Sequence, residues 1–161
     1  MTDKETIEKA MKLFREAYDL QMEGELDLAV RFYRKSINCH PTAEAFTYLG
    51  WTFSFQGRYE DAIDMCKKAI AADPTFGNPY NDIGAYLINL GQLEEAIPWL
   101  EKATQADRYD SFHYPHCNLG RIYMEKGMLK KALEEFQKAL VIEPNHLFAR
   151  QAVESIELQL Q

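Results

Sequence analysis

Four stretches of this chain are versions of one another. They read "GELDLAVRFYRKSI" from Gly24, "GRYEDAIDMCKKAI" from Gly57, "GQLEEAIPWLEKAT" from Gly91 and "GMLKKALEEFQKAL" from Gly127. Each opens on glycine, sets a large apolar residue two positions on (Leu26, Tyr59, Leu93, Leu129) and an alanine three further (Ala29, Ala62, Ala96, Ala132). Successive alanines lie 33, 34 and 36 residues apart. Self-similarity at such a period means stacked supersecondary units, each burying its apolar face against the next.

The segments ahead of these glycines match as well. "FTYLGWTF" at 46–53, "YNDIGAYL" at 80–87 and "HCNLGRIY" at 116–123 share an apolar–Gly pair followed three residues later by a large apolar residue. Apolar positions recur at spacings of three and four throughout, which is the helical period, and nothing alternates like a strand. The unit is therefore helix, short glycine turn, helix. Gly24, Gly57, Gly91 and Gly127 supply the left-handed backbone that a helix C-terminus often needs. Gly50, Gly84 and Gly120 fall inside helices, where glycine costs up to about 1 kcal/mol against alanine. Close approach of a neighbouring helix is the expected reason. Seven of the eight glycines thus occupy repeat-matched positions.

This pattern strongly resembles the tetratricopeptide repeat family. The second unit carries the family's positions as Phe46, Leu49, Gly50, Phe53, Gly57, Tyr59, Ala62, Cys66, Ala69 and Pro74. The third carries Tyr80, Ile83, Gly84, Leu87, Gly91, Leu93, Ala96, Leu100 and Ala103, but has Arg108 in place of the final proline. The fourth carries His116, Leu119, Gly120, Tyr123, Gly127, Leu129, Ala132, Phe136, Ala139 and Pro144. The first departs at Glu16 and Ala17, and recovers at Gly24, Leu26, Ala29, Tyr33, Ser36 and Pro41. The resemblance covers about residues 10–144. It implies an all-α, right-handed solenoid with repeats at about 10–42, 43–76, 77–110 and 113–146, in one domain spanning 1–161. "TDKE" at 2–5 fits a capping box. After Pro144, Leu147, Ala152, Val153, Ile156 and Leu160 suggest a final amphipathic helix over about 147–161 with a polar outer face.

The formal net charge of −7 disfavours nucleic acid or an anionic membrane as the main partner, since no Lys/Arg run exceeds two residues. No stretch approaches the ~20 apolar residues of a membrane span. Cys39, Cys66 and Cys117 are odd in number and widely spaced, which reads as free thiols in a reducing compartment. The first residues are charged throughout, without the apolar core of a secretory signal. The expected location is the cytoplasm.

"SFHYPHC" at 111–117 gathers His113, His116 and Cys117, three ligand-type side chains. A zinc site wants three or four such ligands at reinforcing spacing, and no second cluster exists. In register His116 holds a packing position, as Phe46 and Tyr80 do, and Pro115 matches Pro79 in the first turn of a helix. The expectation is a packed histidine beside a loop histidine, with a metal- or small-ligand site at His113, His116 and Cys117 as the alternative. Cys66 and Cys39 are expected to be buried. The step of 36 residues puts about two extra residues near Asp110–Phe112. Pro98 falls inside a second helix, where a lost hydrogen bond can cost ~3 kcal/mol, and a local bend is expected. No phosphate loop or catalytic constellation stands out, and no cofactor is expected.

The family resemblance implies that first helices line a concave groove. Positions facing it are Met11, Phe14 and Tyr18, then Glu44, Thr47 and Trp51, then Asn78, Asn81 and Ala85, then Tyr114, Cys117 and Arg121. One turn on come Met22, Phe55, Asn89 and Glu125, with Tyr48, Asp82 and Asn118 alongside. The groove is thus expected to be aromatic toward the N-terminal half and amide-rich toward the C-terminal half. Aromatic anchors and side-chain amides suit a peptide or helical segment of a partner protein. Family members that clamp a C-terminal carboxylate use Lys, Asn and Arg. The matching places here hold Phe14, Tyr18, Tyr48, Asn78 and Asp82, or one unit later Thr47, Trp51, Asp82, Tyr114 and Asn118. Neither frame supplies the cations, and Asp82 would repel a carboxylate. The expected function is a non-catalytic scaffold for protein–protein interaction, with homo-oligomeric self-assembly as a second alternative.

Overall fold

A computed structural model describes residues 1–161. It is all-α, with nine helices and only an isolated Phe76–Arg108 bridge of strand character. They are α1 (Asp3–Met22), α2 (Leu26–Cys39), α3 (Ala43–Phe55), α4 (Tyr59–Ala72), α5 (Asn78–Asn89), α6 (Leu93–Thr104), α7 (His113–Glu125), α8 (Leu129–Ile142) and α9 (Leu147–Leu160). Odd and even helices pair as antiparallel neighbours, and each pair packs on the next. The first helices α1, α3, α5 and α7 also touch one another in sequence, whereas no comparable contacts join the even helices. The odd helices therefore form the inner, concave layer of a helical-repeat solenoid.

The glycines do the two jobs their positions suggest. Gly24, Gly57, Gly91 and Gly127 have φ between 73° and 84°, in the left-handed region, at the turn inside each pair. The mid-helix glycines sit where a Cβ has no room. At Gly50 it would lie 2.9 Å from the Ala62 carbonyl oxygen, at Gly120 2.8 Å from the Phe136 ring, and at Gly84 against the Leu100 side chain. The alanines of the partner helices (Ala29, Ala62, Ala96, Ala132) are wholly buried. The missing side chain makes room for the partner helix: its backbone at Gly50, and its Leu100 and Phe136 side chains at Gly84 and Gly120. The larger side chains Tyr33, Phe53, Leu100 and Phe136 then fill the core.

The capping box closes as expected: the Glu5 N–H donates to Thr2 Oγ1, and the Thr2 N–H donates to Glu5 Oε2 at 2.8 Å. α6 runs unbroken through Pro98. The terminal helix differs from its expected stripe. Ala149, Ala152 and Ile156 are buried, whereas Leu147 and Leu160 are exposed, because the buried row follows spacings of three and four from Ala149. Cys39, expected to be buried, is the last residue of α2 and is only partly buried.

The largest departure from regularity is the segment 105–112 between α6 and α7, against three residues between α2 and α3. Arg108, standing where a proline is usual, uses the N–H that proline lacks to donate to the Thr75 carbonyl at 2.9 Å. The Gly77 N–H returns a bond to the Arg108 carbonyl at 3.0 Å. The Arg108 guanidinium lies over the Phe76 ring and pairs with Asp73 at 2.8 Å and Glu44 at 2.7 Å. Gly77, the one glycine outside the repeat pattern, leaves space for Tyr109: a Cβ there would fall 2.5 Å from the tyrosine ring. These contacts tie the loop to the two preceding units at the groove.

Replacing Gly50 by Ala tests the close approach. Alanine gains about 1 kcal/mol in helix propensity. The clash with a backbone carbonyl cannot relax through a side chain, and overpacking of this kind costs typically about 1–3 kcal/mol. The expected result is a lower thermal midpoint for Gly50→Ala; a raised midpoint would show that helix contact at Gly50 does not limit the fold.

Candidate functional site

The concave layer carries a continuous run of aromatic rings. Phe14 and Tyr18 on α1 meet Tyr48 on α3 edge to face, with centroids 5.2 and 5.9 Å apart. Tyr48 meets Trp51 at 5.9 Å, and Trp51 meets Phe55 at 5.0 Å. All but Tyr18 and Phe55 are partly buried; those two are exposed, Phe55 to 57%. Spacings of three and four on α3 put Tyr48, Trp51 and Phe55 on one face. Tyr33 anchors the run from below, stacking on Tyr48 and donating its hydroxyl to Gln21 Oε1 at 2.7 Å.

Beside this run lies a cavity of about 450 Å³. α3 contributes Thr47, Tyr48 and Trp51, α5 contributes Asn78, Asn81 and Asp82, and α7 contributes Tyr114. The sequence register had placed all seven of these on the groove. Tyr109 and Ser111, from the inserted loop, complete the wall. These two escaped the register because they belong to no repeat position. The step of 36 residues was the signal that marked their neighbourhood. A second cavity of about 430 Å³ opens nearer the N-terminus, lined in part by Ile7, Met11, Phe14 and Glu44.

The other expected positions divide. Asn89 is exposed at the end of α5, away from the cavity lining. Thr47 is buried, and its hydroxyl donates to the Ala43 carbonyl at 2.7 Å, so it offers a wall rather than a polar contact. The amide end is internally bonded. Asn118 Nδ2 donates to Asn81 Oδ1 at 3.0 Å, and Arg121 donates to Asn118 Oδ1 at 3.3 Å. Those amides are therefore spent on one another more than the sequence suggested.

His113, His116 and Cys117 do not converge. His116 Nδ1 meets Glu135 Oε2 on α8 at 2.7 Å. Burial pushes Glu135 up, but hydrogen bonds from His116 and then Lys138 outweigh it and hold the carboxyl below its usual range. Cys117 is buried and faces the other way, with Sγ 3.9 Å from His146 Nδ1, and burial pushes its thiol up to about 11. His113 opens α7 and packs on Tyr114 and His146. With His116 turned to Glu135 on α8 and Cys117 to His146 at the start of α9, the three side chains form no single ligand set, and no group of three metal-binding side chains forms elsewhere.

The unusual charge in the cavity is Asp82. Part of its surface opens into the cavity, while the surrounding protein desolvates it and raises its pKa to about 7. The Asn81 side chain offsets only part of that rise, and no cation pairs with it within 4 Å.

Family profiles described as tetratricopeptide repeat match residues 43–76, 65–97 and 113–146. Among curated proteins, the chain is 30% identical over 104 residues to the small glutamine-rich tetratricopeptide repeat-containing protein 2 of Mycosarcoma maydis, covering 64% of this chain and 30% of that protein. It spans under a third of the length of the first curated relatives it matches. Among solved structures, pilF of Pseudomonas aeruginosa superposes with a TM-score of 0.89 at 22% identity, over 96% of this chain and 70% of that one. YrrB, described as a tetratricopeptide-repeat protein with an unusual peptide-binding site, superposes with a TM-score of 0.70 at 24% identity, over 99% and 84%. At these identities the two structures speak to the fold.

Asp82 should leave a mark on stability. Its folded pKa of about 7 lies above the roughly 3.9 of an unfolded aspartate. Between those values the folded state keeps a proton that the unfolded state releases, so stability falls as pH rises from about 4 to 7 and is flat above. Asp82→Asn should remove that slope. At pH 8 it should exceed wild type by on the order of 2 kcal/mol, after discounting for solvent at the partly open carboxyl. Parallel pH slopes for the two proteins in denaturant melts would overturn the assignment.

Proposed function

Because the chain belongs to the tetratricopeptide repeat family, we propose that it works by holding a segment of another protein along its concave face. The observation that carries this reading is the aromatic run from Tyr18 through Tyr48 and Trp51 to Phe55, open beside the 450 Å³ cavity. Aromatic side chains set in a desolvated concavity are the usual energetic centres of interfaces. A wall fixed by backbone bonds and ring contacts needs little ordering on binding, which favours affinity. The peptide-binding site described for YrrB supports the same kind of role. The proposed role is that of a scaffold without chemistry of its own. The free thiols of Cys39, Cys66 and Cys117 are in keeping with action in the cytoplasm.

A second reading rests on a different surface. Val141, Leu147, Phe148 and Leu158 are exposed near the α8–α9 end. Two copies pairing there would cover them. Sedimentation would report a dimer that Leu147→Glu dissociates; a monomer at all concentrations removes this reading.

The principal test is a display library of peptides from the source proteome, selected on the wild-type chain and counter-screened on Trp51→Ala. Loss of a central aromatic anchor costs about 2 kcal/mol or more, on the order of thirtyfold in affinity. Binders weakened to that degree place the segment in the groove. Binders indifferent to Trp51→Ala and Phe55→Ala would move the site to another face.

A further inference from the structure

We propose that the cavity over Asp82 is an anchor site for a cationic side chain, arginine before lysine, of a basic peptide segment. This rests on the groove-binding reading and names the chemistry of the segment. Four aromatic residues, Tyr48, Trp51, Tyr109 and Tyr114, share the cavity wall with a single carboxylate. Ring faces carry negative potential and attract cations, more strongly where water is displaced. Guanidinium is planar, stacks on such faces and offers a fork of donors to a carboxylate, so arginine fits better than the compact ammonium of lysine.

The cavity has no cation of its own: its lining holds no lysine, arginine or histidine. The nearby arginines are engaged elsewhere. Arg108 is shared between Asp73 and Glu44, and Arg121 donates to Asn118. The field at the wall is negative as well. The Tyr48 phenol is raised first by burial, then by Tyr18, Asp82, Asp110 and Glu44. A chain of net charge −7 adds a long-range pull on a basic partner. An acidic segment or a C-terminal carboxylate would meet Asp82 as a like charge.

The groups facing Asp82 leave it as the one titrating near neutrality. Tyr48 from α3, Cys66 from α4, Tyr86 from α5 and Tyr109 from the loop are all raised, by burial first. Asn81 beside it does not titrate, and His113, behind Tyr114, is lowered by burial and by His146. Ionisation of Asp82 around pH 7 should therefore strengthen cation binding between pH 6 and pH 8.

The test takes the groove-dependent peptides from the display selection, acetylated and amidated so that charge resides only in side chains, and titrates them calorimetrically against the full chain. The expected peptides share an arginine or lysine. Changing that residue to citrulline or glutamine should weaken binding about tenfold or more, the scale of a desolvated cation–π contact with its ion pair. Asp82→Asn should cost a similar factor, with no further loss when combined with the citrulline peptide. Tyr114→Ala, an exposed wall of the cavity, should weaken the arginine peptide and spare the citrulline one. Binding should tighten from pH 6 to pH 8 in wild type and stay flat in Asp82→Asn. Groove-dependent peptides without a basic position, or indifferent to Asp82→Asn, would overturn the cationic anchor and leave the groove reading standing. Binding lost on acetylation would assign the cation to a chain N-terminus and overturn the side-chain anchor. Peptides that bind without regard to Trp51 would overturn both.

Discussion

Everything on the concave face depends on how closely the two helices of each pair approach. At Gly50 the neighbouring backbone stands where a side chain would begin, and at Gly84 and Gly120 the Leu100 and Phe136 side chains take that space. The helix tolerates glycine at a cost of about 1 kcal/mol per site. Burial of a leucine or phenylalanine side chain contributes about 1.5–3 kcal/mol, so closing the pair outweighs that cost. Once the pairs are closed, the odd helices become neighbours, and residues three and four apart on each helix form rows across several units. The run from Phe14 to Phe55 is such a row, extended sideways through Tyr48.

What makes this groove particular is where the repeat is broken. A regular proline at position 108 could not donate to Thr75, and a side chain at position 77 would exclude Tyr109. Hydrogen bonds from Thr75 and then Arg108 hold Asp73 at about 2, so this anchor remains charged across the physiological range. With the loop fixed at its base, Tyr109 and Ser111 line the same cavity as Tyr48, Trp51 and Asp82. The regular units supply seven of the lining residues, and the irregular loop supplies the other two.

The repeat made the helices, the turn glycines and seven wall residues of the cavity legible, because each is a function of register alone. What register could not give are contacts between residues far apart in sequence and outside the pattern. Gly77 lies outside the repeat pattern and gains its reason only from Tyr109 against it, and Arg108 reads in register only as a lost proline. Glu135 explains His116 across 19 residues, and the adjacent Glu134 left the sequence with no reason to prefer it. Thr47, Asn81 and Cys117 sit at groove-facing positions yet are buried, because helix direction does not say how deeply a neighbouring unit covers them. The stripe on α9 departs for a related reason: the row covered by α8 runs through Ala149, Ala152 and Ile156, and Leu147 falls beside it.

Asp82 is where packing and binding make opposite demands. A carboxylate held near pH 7 by desolvation destabilises the folded chain at neutral pH, and asparagine would preserve its shape without the charge. The Arg121–Asn118–Asn81 chain shows that the fold can order polar groups here, yet no cation of this chain closes on the carboxyl. Residues that break a local rule without repair from their own structure concentrate at functional sites. An incoming guanidinium would supply the missing charge, and the binding energy would include relief of the desolvated carboxylate. Such a site discriminates by penalty as well as attraction. A neutral side chain leaves Asp82 unpaired, and an acidic one adds repulsion, so selectivity for a basic segment follows from the same burial that makes the empty groove less stable.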